Sequence, residues 1–211
     1  MAQTHKGLLI SIEGIDGSGK SSLVKNIQER FERNYLVLTT KEPGGSDLGK
    51  LLRAVLLEKS ISMCAKAQFL LFAADRAQHF HEIIIPALKK GALVISDRMA
   101  DSSLVYQGYA QGLSLVELTH INQWAMNNYL PDITFFVQID PHIAFERIRA
   151  RNEPLTNFEK KEQLIQKAAE GFKEIFKDKK NSYTLDGTKT EQQLTEEATR
   201  IISSYLEHQK I

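Results

Sequence analysis

The strongest signal in the sequence is Gly14-Ile15-Asp16-Gly17-Ser18-Gly19-Lys20-Ser21, which fits the P-loop spacing G-x-x-x-x-G-K-[ST] at every fixed position. A nearly all-apolar run over residues 8–13 precedes it and a helical pattern follows it, which is the strand–loop–helix context that such a loop requires. Glycines let the backbone turn its N–H groups toward phosphate oxygens, and the helix N-terminus and Lys20 add positive charge. We therefore predict that residues 14–22, ending at Ser22, bind a nucleoside triphosphate, with the Ser21 hydroxyl available to magnesium.

Short apolar runs alternate with longer helical segments along the rest of the chain. The strand candidates are residues 8–13, 35–40, 92–96, 133–139 and, more weakly, 182–185. The helical candidates are residues 20–33, 47–59, 65–90, 114–129, 141–151, 159–178 and 190–208. Alternation of this kind indicates βαβ units and a sheet covered on both faces. We predict a doubly wound α/β fold with a mainly parallel sheet of about five strands, of the P-loop NTPase or kinase type.

Length and composition limit the class of protein. The 211 residues predict a single domain, with a charged surface insertion at about 147–161. With 27 Lys and Arg against 26 Asp and Glu, the chain lacks the strongly basic field that would gather nucleic acid. The single cysteine, Cys64, excludes an internal disulfide framework and a Cys-rich metal site. Because the chain has neither a signal-peptide pattern nor an apolar run of about 18 residues, we expect a cytoplasmic protein with no membrane partner.

Among P-loop proteins, the sequence favours one class. A GTPase would be expected to carry Asn-Lys-x-Asp for guanine, and this sequence has no such tetrapeptide. Motor ATPases are usually longer and couple to a large partner. We therefore favour a kinase that phosphorylates a small molecule.

Four blocks of residues resemble bacterial thymidylate kinases in their order and spacing. They are residues 13–21 (EGIDGSGKS), 41–49 (KEPGGSDLG), 70–79 (LLFAADRAQH) and 96–108 (SDRMADSSLVYQG). The resemblance covers residues 8–150 well and the remainder loosely. It implies transfer of the γ-phosphoryl group of ATP to thymidine monophosphate (dTMP), giving dTDP, with Mg²⁺ as cofactor. It also implies a homodimer, which the apolar surface of the helices near 47–59 and 65–85 would permit.

Asp97 and Arg98 follow the apolar strand at 92–96. A carboxylate at the C-terminal end of a parallel strand lies in the crevice where α/β sheets bind ligands, so Asp97 is placed to reach magnesium, directly or through water. Arg98 has the fork geometry needed to grip the acceptor phosphate bidentately. The alternative is a surface Asp–Arg pair that closes a strand.

The resemblance assigns a second group of residues to the acceptor nucleotide. Phe72 and Arg76 are four positions apart and share one helix face, where the ring would stack on thymine and the arginine would hydrogen-bond the base. Phe72 is equally compatible with a core position. Ser103 and Gln107 are expected near the base, and Tyr106 beneath the sugar, where it would exclude a ribose 2′-hydroxyl. The alternative for this segment is a polar loop with a packed tyrosine.

Further charged residues are assigned to the phosphates. By resemblance, the acids Asp16 and Glu42 approach the reacting phosphates or the metal, and acids placed there imply magnesium. Arg53 is a candidate for the acceptor phosphate, with a solvated surface charge as the alternative.

The lid departs from the family pattern. Related bacterial enzymes usually supply a catalytic arginine from a lid motif Asp-Arg-x-Glu, whereas the aligned residues 156–159 here are Thr-Asn-Phe-Glu. We predict that Arg149 or Arg151 supplies it instead; otherwise these are solvated charges and the enzyme is slow. Two other functions stay open at this point. One is a kinase of the same fold for another nucleotide or deoxynucleoside, and the other is a nucleotide-binding module with weakened catalysis.

Overall fold

The computed structural model describes residues 7–58, 60–150 and 162–208. The strands are β1 (Leu8–Glu13), β2 (Val37–Lys41), β3 (Leu93–Asp97), β4 (Ile133–Gln138) and β5 (Ser182–Asp186). The helices are α1 (Lys20–Phe31), α2 (Asp47–Leu57), α3 (Ala65–His79), α4 (Ile85–Lys89), α5 (Ala100–Ser103), α6 (Leu115–Ala125), α7 (Pro141–Ala150), α8 (Glu162–Phe176) and α9 (Glu191–His208). Wider π-helical turns over Phe80–Ile84 and Leu104–Tyr109 continue α3 into α4 and extend α5.

The five strands form one parallel sheet in the order β2-β3-β1-β4-β5. The predicted fold class and the five predicted strands are confirmed. Because β1 is central, its carboxyl end lies between those of β3 and β4. The register pairs Ile12 with Asp97 and Glu13 with Phe136, which brings the ends of three strands to one edge.

Both faces of the sheet are covered. On one face Ile10 and Ile12 of β1 pack with buried residues of α1 and α9, among them Leu23, Ile27 and Ile202. The intervening positions of β1 face the other way, and Leu9 packs there with residues of the α3–α4 region. Burial on both faces explains why the strand is nearly all apolar, with Ser11 and Glu13 as its buried polar residues. In the described part of the chain, no helix has the length and apolarity to cross a bilayer.

One element was not predicted from sequence. Residues 100–109 form the short helix α5 and its π-helical extension, where the sequence suggested only a segment of unspecified structure or a polar loop. Packing against neighbouring helices accounts for it. The Tyr106 ring meets that of Phe172 on α8 edge-on at 6.1 Å, and a Cβ on Gly108 would lie 2.5 Å from Leu115. Tertiary contacts of this kind override local propensity and leave no periodic signal in the sequence.

Candidate active site

The P-loop connects the end of β1 to the start of α1. Gly14 and Gly17 have φ values of 143° and 80°, in the region that favours glycine. A Cβ on Gly14 would lie 2.6 Å from the carbonyl oxygen of Val137, and one on Gly17 would lie 2.5 Å from that of Ala144. Glycine is therefore required at both positions for two reasons. A side chain would collide with the neighbouring backbone, and the φ values are ones that glycine adopts most readily.

Lys20 is the first residue of α1 and is buried under the loop. Its Nζ donates to the carbonyl oxygen of Ile15 at 2.8 Å and lies 3.9 Å from Oδ1 of Asp16. Burial, followed by the nearby charge of Arg98, lowers the pKa of Lys20 to about 8. The ammonium group is thus held within the curve of the loop, where the backbone N–H groups of a P-loop meet phosphate.

Ser21 and Asp97, the two predicted metal ligands, lie together. The Ser21 hydroxyl donates to Oδ2 of Asp97 at 2.6 Å across the gap between α1 and the end of β3. Hydroxyl and carboxylate oxygens are hard ligands of the kind that Mg²⁺ takes, together with phosphate oxygens. Within the described ranges, no group of three or more His, Cys, Asp or Glu side chains is arranged to hold a metal ion.

Arg98 follows β3 in a left-handed backbone conformation, with φ 71°. Its backbone N–H donates to the carbonyl oxygen of Ile12 at 2.9 Å. Its Nη1 donates to the carbonyl oxygen of Gly14 at 2.8 Å and to Oγ of Ser102 at 3.0 Å, while Nη2 pairs with Asp16. Burial would raise the pKa of Asp16, but the positive charges of Arg98 and Lys20 together hold that pKa below its usual value. The guanidinium is therefore fixed beside the P-loop.

Glu13, to which the sequence assigned no role, supports this conformation. Its Oε1 accepts from the backbone N–H of Met99 at 2.7 Å, and its Oε2 accepts from the hydroxyl of Ser102 at 2.6 Å. Burial, with a contribution from Asp101, raises the pKa of Glu13 to about 7. The carboxyl group thus ties the end of β1 to the backbone that follows Arg98.

Arg76 on α3 is 1% exposed and is held by three elements. Nε donates to Oε2 of Glu42 at 2.8 Å, Nη1 to Oδ1 of Asn122 at 2.6 Å, and Nη2 to Oγ of Ser103 at 3.3 Å. Burial alone would raise the pKa of Glu42, but Arg76 and His79 hold it below its ordinary value. Asn122, on α6, was not singled out from the sequence, because a lone polar residue in a helix gives no distinguishing pattern.

A cavity of about 380 Å³ connects these groups. The predicted residues that line it are Asp16, Gly17, Gly19, Lys20, Ser21, Glu42, Arg53, Phe72, Arg76, Asp97, Arg98, Ser103, Tyr106 and Gln107. Phe72, for which a core position was the alternative, lines this cavity and is half-buried. The Tyr106 ring lies with its centroid 5.4 Å from the Arg98 guanidinium carbon.

Two polar side chains of the cavity wall are held by neighbours. The Gln107 amide donates to Oε1 of Gln68 at 3.1 Å, and Nη1 of Arg53 donates to the carbonyl oxygen of Pro43 at 3.0 Å. Both contacts reduce the freedom of side chains that face the cavity.

A second cavity of about 340 Å³ lies on the other side of the P-loop. It is lined by Gly17, Ser18, Gly19, Ser22, Leu23, Arg147, residues 188–191 and Leu194. Nη1 of Arg147 donates to the carbonyl oxygen of Gly187 at 2.9 Å, so α7 is joined to the loop that follows β5. The sequence analysis did not place a binding surface at 187–190. The general rule that α/β sheets bind ligands at the carboxyl ends of their strands was the available signal.

Of the two predicted lid arginines, the one that the structure describes, Arg149, lines neither cavity. Arg149 is exposed on α7, two positions beyond Arg147 and thus on the opposite side of the helix. Arg151 and residues 156–159 lie outside the described residues. Of the arginines at this end of α7, the structure brings Arg147 to a cavity.

The sequence and the fold of this chain are similar to those of known proteins. A family model described as thymidylate kinase matches residues 12–198. A thymidylate kinase of Clostridium novyi is 43% identical over 155 residues, 72% of this chain and 76% of that protein. One of Bacillus pumilus is 37% identical over 97% of this chain and 99% of its own. The crystal structure of thymidylate kinase from Ehrlichia chaffeensis superimposes with a TM-score of 0.74 at 28% identity, covering 93% of this chain and 98% of that one.

Proposed function

Because the chain belongs to the thymidylate kinase family, we propose that it transfers the γ-phosphoryl group of ATP to dTMP and releases dTDP. The observation that carries this proposal is the single cavity that runs from the P-loop to Arg76 and Phe72. One end offers a phosphate-binding loop with Lys20, and the other offers a buried arginine and an aromatic ring. That combination suits a nucleoside monophosphate held with its phosphate toward ATP.

The base of dTMP would occupy the end formed by α3 and the 100–109 helix. The half-buried ring of Phe72 is available for stacking, and base–aromatic stacking contributes roughly 1–3 kcal/mol. Arg76 directs donors at a carbonyl edge, with Ser103 and Gln107 beside it. Tyr106 forms the wall under the sugar, and we propose that it disfavours a ribose 2′-hydroxyl.

The acceptor phosphate would lie between Arg98 and Arg53. Arg98 is fixed by Gly14, Ser102 and Asp16, so its fork can hold the phosphate in one orientation. Arg53 lines the same cavity from α2. Orientation is the main catalytic contribution expected here, since phosphoryl transfer proceeds by positioning and charge stabilisation.

ATP would bind along residues 14–22, with its phosphates on the loop and its base in the second cavity. Arg147 and residues 188–190 provide the walls of that cavity. Lys20 would hold the β- and γ-phosphates. The proton on Lys20, whose pKa is lowered to about 8, is stabilised when these anions arrive.

Ser21 and Asp97 are the residues that would hold Mg²⁺, because their oxygen atoms fit its preference for hard ligands. When bound, the ion neutralises charge on the β- and γ-phosphate oxygens. Asp16 keeps its negative charge through Arg98, and its part in the reaction is to orient that arginine.

Residues 147–161 are proposed as a lid of the same single domain. Its closure would exclude water, which prevents transfer of the phosphoryl group to solvent. Arg149 or Arg151 would then reach the transferring phosphate, a contribution that in GTPases amounts to about 10³–10⁵ in rate.

The proposal includes a homodimer formed through α2, α3 and α6, working in the cytoplasm. α3 packs against both α2 and α6. These helices carry large apolar side chains that face outward: Leu48, Leu51, Val55, Leu70, Leu115, Val116 and Trp124. Trp124 is 80% exposed, and exposed large apolar side chains on neighbouring helices are typical of an interface.

The test is ADP formation from Mg-ATP with a panel of acceptors. The panel contains dTMP, dUMP, UMP, dCMP, AMP and thymidine, with water alone as the background. We expect dTMP to be the best acceptor and UMP to be poor. Faster turnover with another acceptor, or no turnover that depends on an acceptor, would contradict the proposal.

A further inference from the structure

His79, at the C-terminal end of α3, is a buried titratable group that lines neither cavity. Its side chain is 0% exposed. Nδ1 lies 3.1 Å from Oε1 of Glu42, and Nε2 lies 2.6 Å from Oγ1 of Thr40. Since an ionised carboxylate only accepts hydrogen bonds, Nδ1 carries a hydrogen and donates it to Glu42.

Glu42 is shared between two residues of the same helix. Oε1 accepts from His79 and Oε2 accepts from Nε of Arg76. The two donors are three positions apart on α3 and therefore lie on one face. Because the carboxylate is rigid and planar, fixing one oxygen through His79 also fixes the other, to which Arg76 is bound.

The residues that follow β2 pack closely on the part of α3 that carries Asp75 and His79. A Cβ on Gly45 would lie 2.2 Å from Nε2 of His79, so the backbone of Gly45 packs directly on the imidazole. A Cβ on Gly49 would lie 2.3 Å from Oδ1 of Asp75, which also accepts from the N–H of Gly44 at 3.0 Å. Glu42 lies at the start of this segment. It is held both by the hydrogen bonds of its side chain and by the packing of the backbone that follows it against His79.

We propose that His79 is a positioning residue for the acceptor base, acting through Glu42 to aim the guanidinium of Arg76. Three of the five guanidinium hydrogens donate to Glu42, Asn122 and Ser103, which leaves two for a ligand. The direction of those two is set by the three that are engaged. The inference rests on the proposed function, since it concerns how dTMP is held.

The experiment compares His79→Asn with His79→Gln. Asn places its amide where Nδ1 lies and retains a donor to Glu42, whereas Gln places its amide near Nε2 and retains only the contact with Thr40. Both remove the imidazole ring, so both are expected to lower the melting temperature. A purely structural residue would make the two variants alike in kinetics.

We expect the KM for dTMP to rise at least about tenfold in His79→Gln and less than about threefold in His79→Asn, given the value of a hydrogen bond to a charged group. The KM for ATP and kcat should stay within about threefold in both, because the P-loop is not contacted. Thr40→Val is the matched control. It removes the partner of Nε2 but leaves Nδ1 with Glu42, so the KM for dTMP should stay near the wild-type value.

A double-mutant cycle adds a second readout. If His79 acts through Glu42, His79→Gln in a Glu42→Gln background should raise the KM for dTMP by no more than about twofold beyond Glu42→Gln alone. Full additivity would contradict the coupling.

The outcomes separate this inference from the proposed function. If the wild-type protein does not phosphorylate dTMP, the proposed function is wrong and the inference falls with it. If it does, and Asn and Gln at position 79 change the KM for dTMP equally, only the inference is wrong. Should His79→Gln fail to fold, His79→Asn alone still tests it, because a rise of more than about tenfold there would overturn the role of the Nδ1 donor.

Discussion

Replacing Glu13 with Gln should remove a pH-dependent cost of folding. Burial raises the pKa of Glu13 from 4.5 to about 7, so between these values the folded protein keeps a proton that the unfolded chain has released. The free energy of unfolding therefore falls as the pH rises through this window. The stabilisation that comes from the proton on Glu13 is fully present only below pH 4.5. At about 1.4 kcal/mol per pKa unit, the loss between pH 5 and pH 8 is about 2–3 kcal/mol.

The assay is urea unfolding of the wild-type protein and Glu13→Gln at pH 5 and pH 8. Groups common to both proteins cancel in the difference between their unfolding free energies. We expect that difference to shift by about 2–3 kcal/mol in favour of Glu13→Gln on going to pH 8. Glu174→Gln, on an exposed position of α8, is the matched control and should show no shift. A difference for Glu13→Gln that is constant across the range would refute the reasoning.

Three further predictions concern the site and the surface. Arg98→Lys loses the fork that binds Gly14 and Ser102, so kcat/KM for dTMP should fall by about 10–100-fold; steady-state kinetics showing an unchanged value would contradict the assignment. Turnover assays should show that Arg149→Ala or Arg151→Ala lowers kcat at least about tenfold, and if neither does, the lid proposal fails. Trp124→Glu places a charge on the apolar face of α6 and should convert a dimer to monomers in sedimentation velocity; a wild-type monomer, or a dimer that persists, would exclude this interface.

The parts of the molecule that follow local rules were predictable. The P-loop is recognised because glycine spacing, strand and helix coincide within about 25 residues, and the structure places residues 8–31 in that order. The three inner strands β1, β3 and β4 were found because strands buried on both faces are nearly continuous apolar runs, whereas the edge strand β5 is largely exposed and gave only a weak signal. Phe72 lines the cavity, as the resemblance to thymidylate kinases implied; the helical spacing itself indicated only that Phe72 and Arg76 share a face.

The parts that depend on distant contacts were not predictable. The helix at 100–109 is held by packing on α8, and no local sequence pattern predicts such packing. The cavity formed by Arg147 and residues 188–190 joins two segments about 40 positions apart in sequence. Arg147 falls in the predicted insertion at 147–161 but was given no role, because periodicity assigns a helix face but not the element that the face meets. Glu13 likewise reads from sequence as the last residue of a strand.

The two acids that the sequence associated with phosphate explain how an anion site tolerates negative charge. Asp16 pairs with Arg98 near the P-loop, and Glu42 pairs with Arg76 at the other end of the cavity. Each acid engages one donor of its guanidinium and neighbouring groups engage two more, which leaves two hydrogens of each arginine for a ligand. Buried ion pairs contribute little net stability and are destabilising when broken. Their value here is geometric, because an arginine held in one orientation before the substrate arrives loses less entropy on binding it.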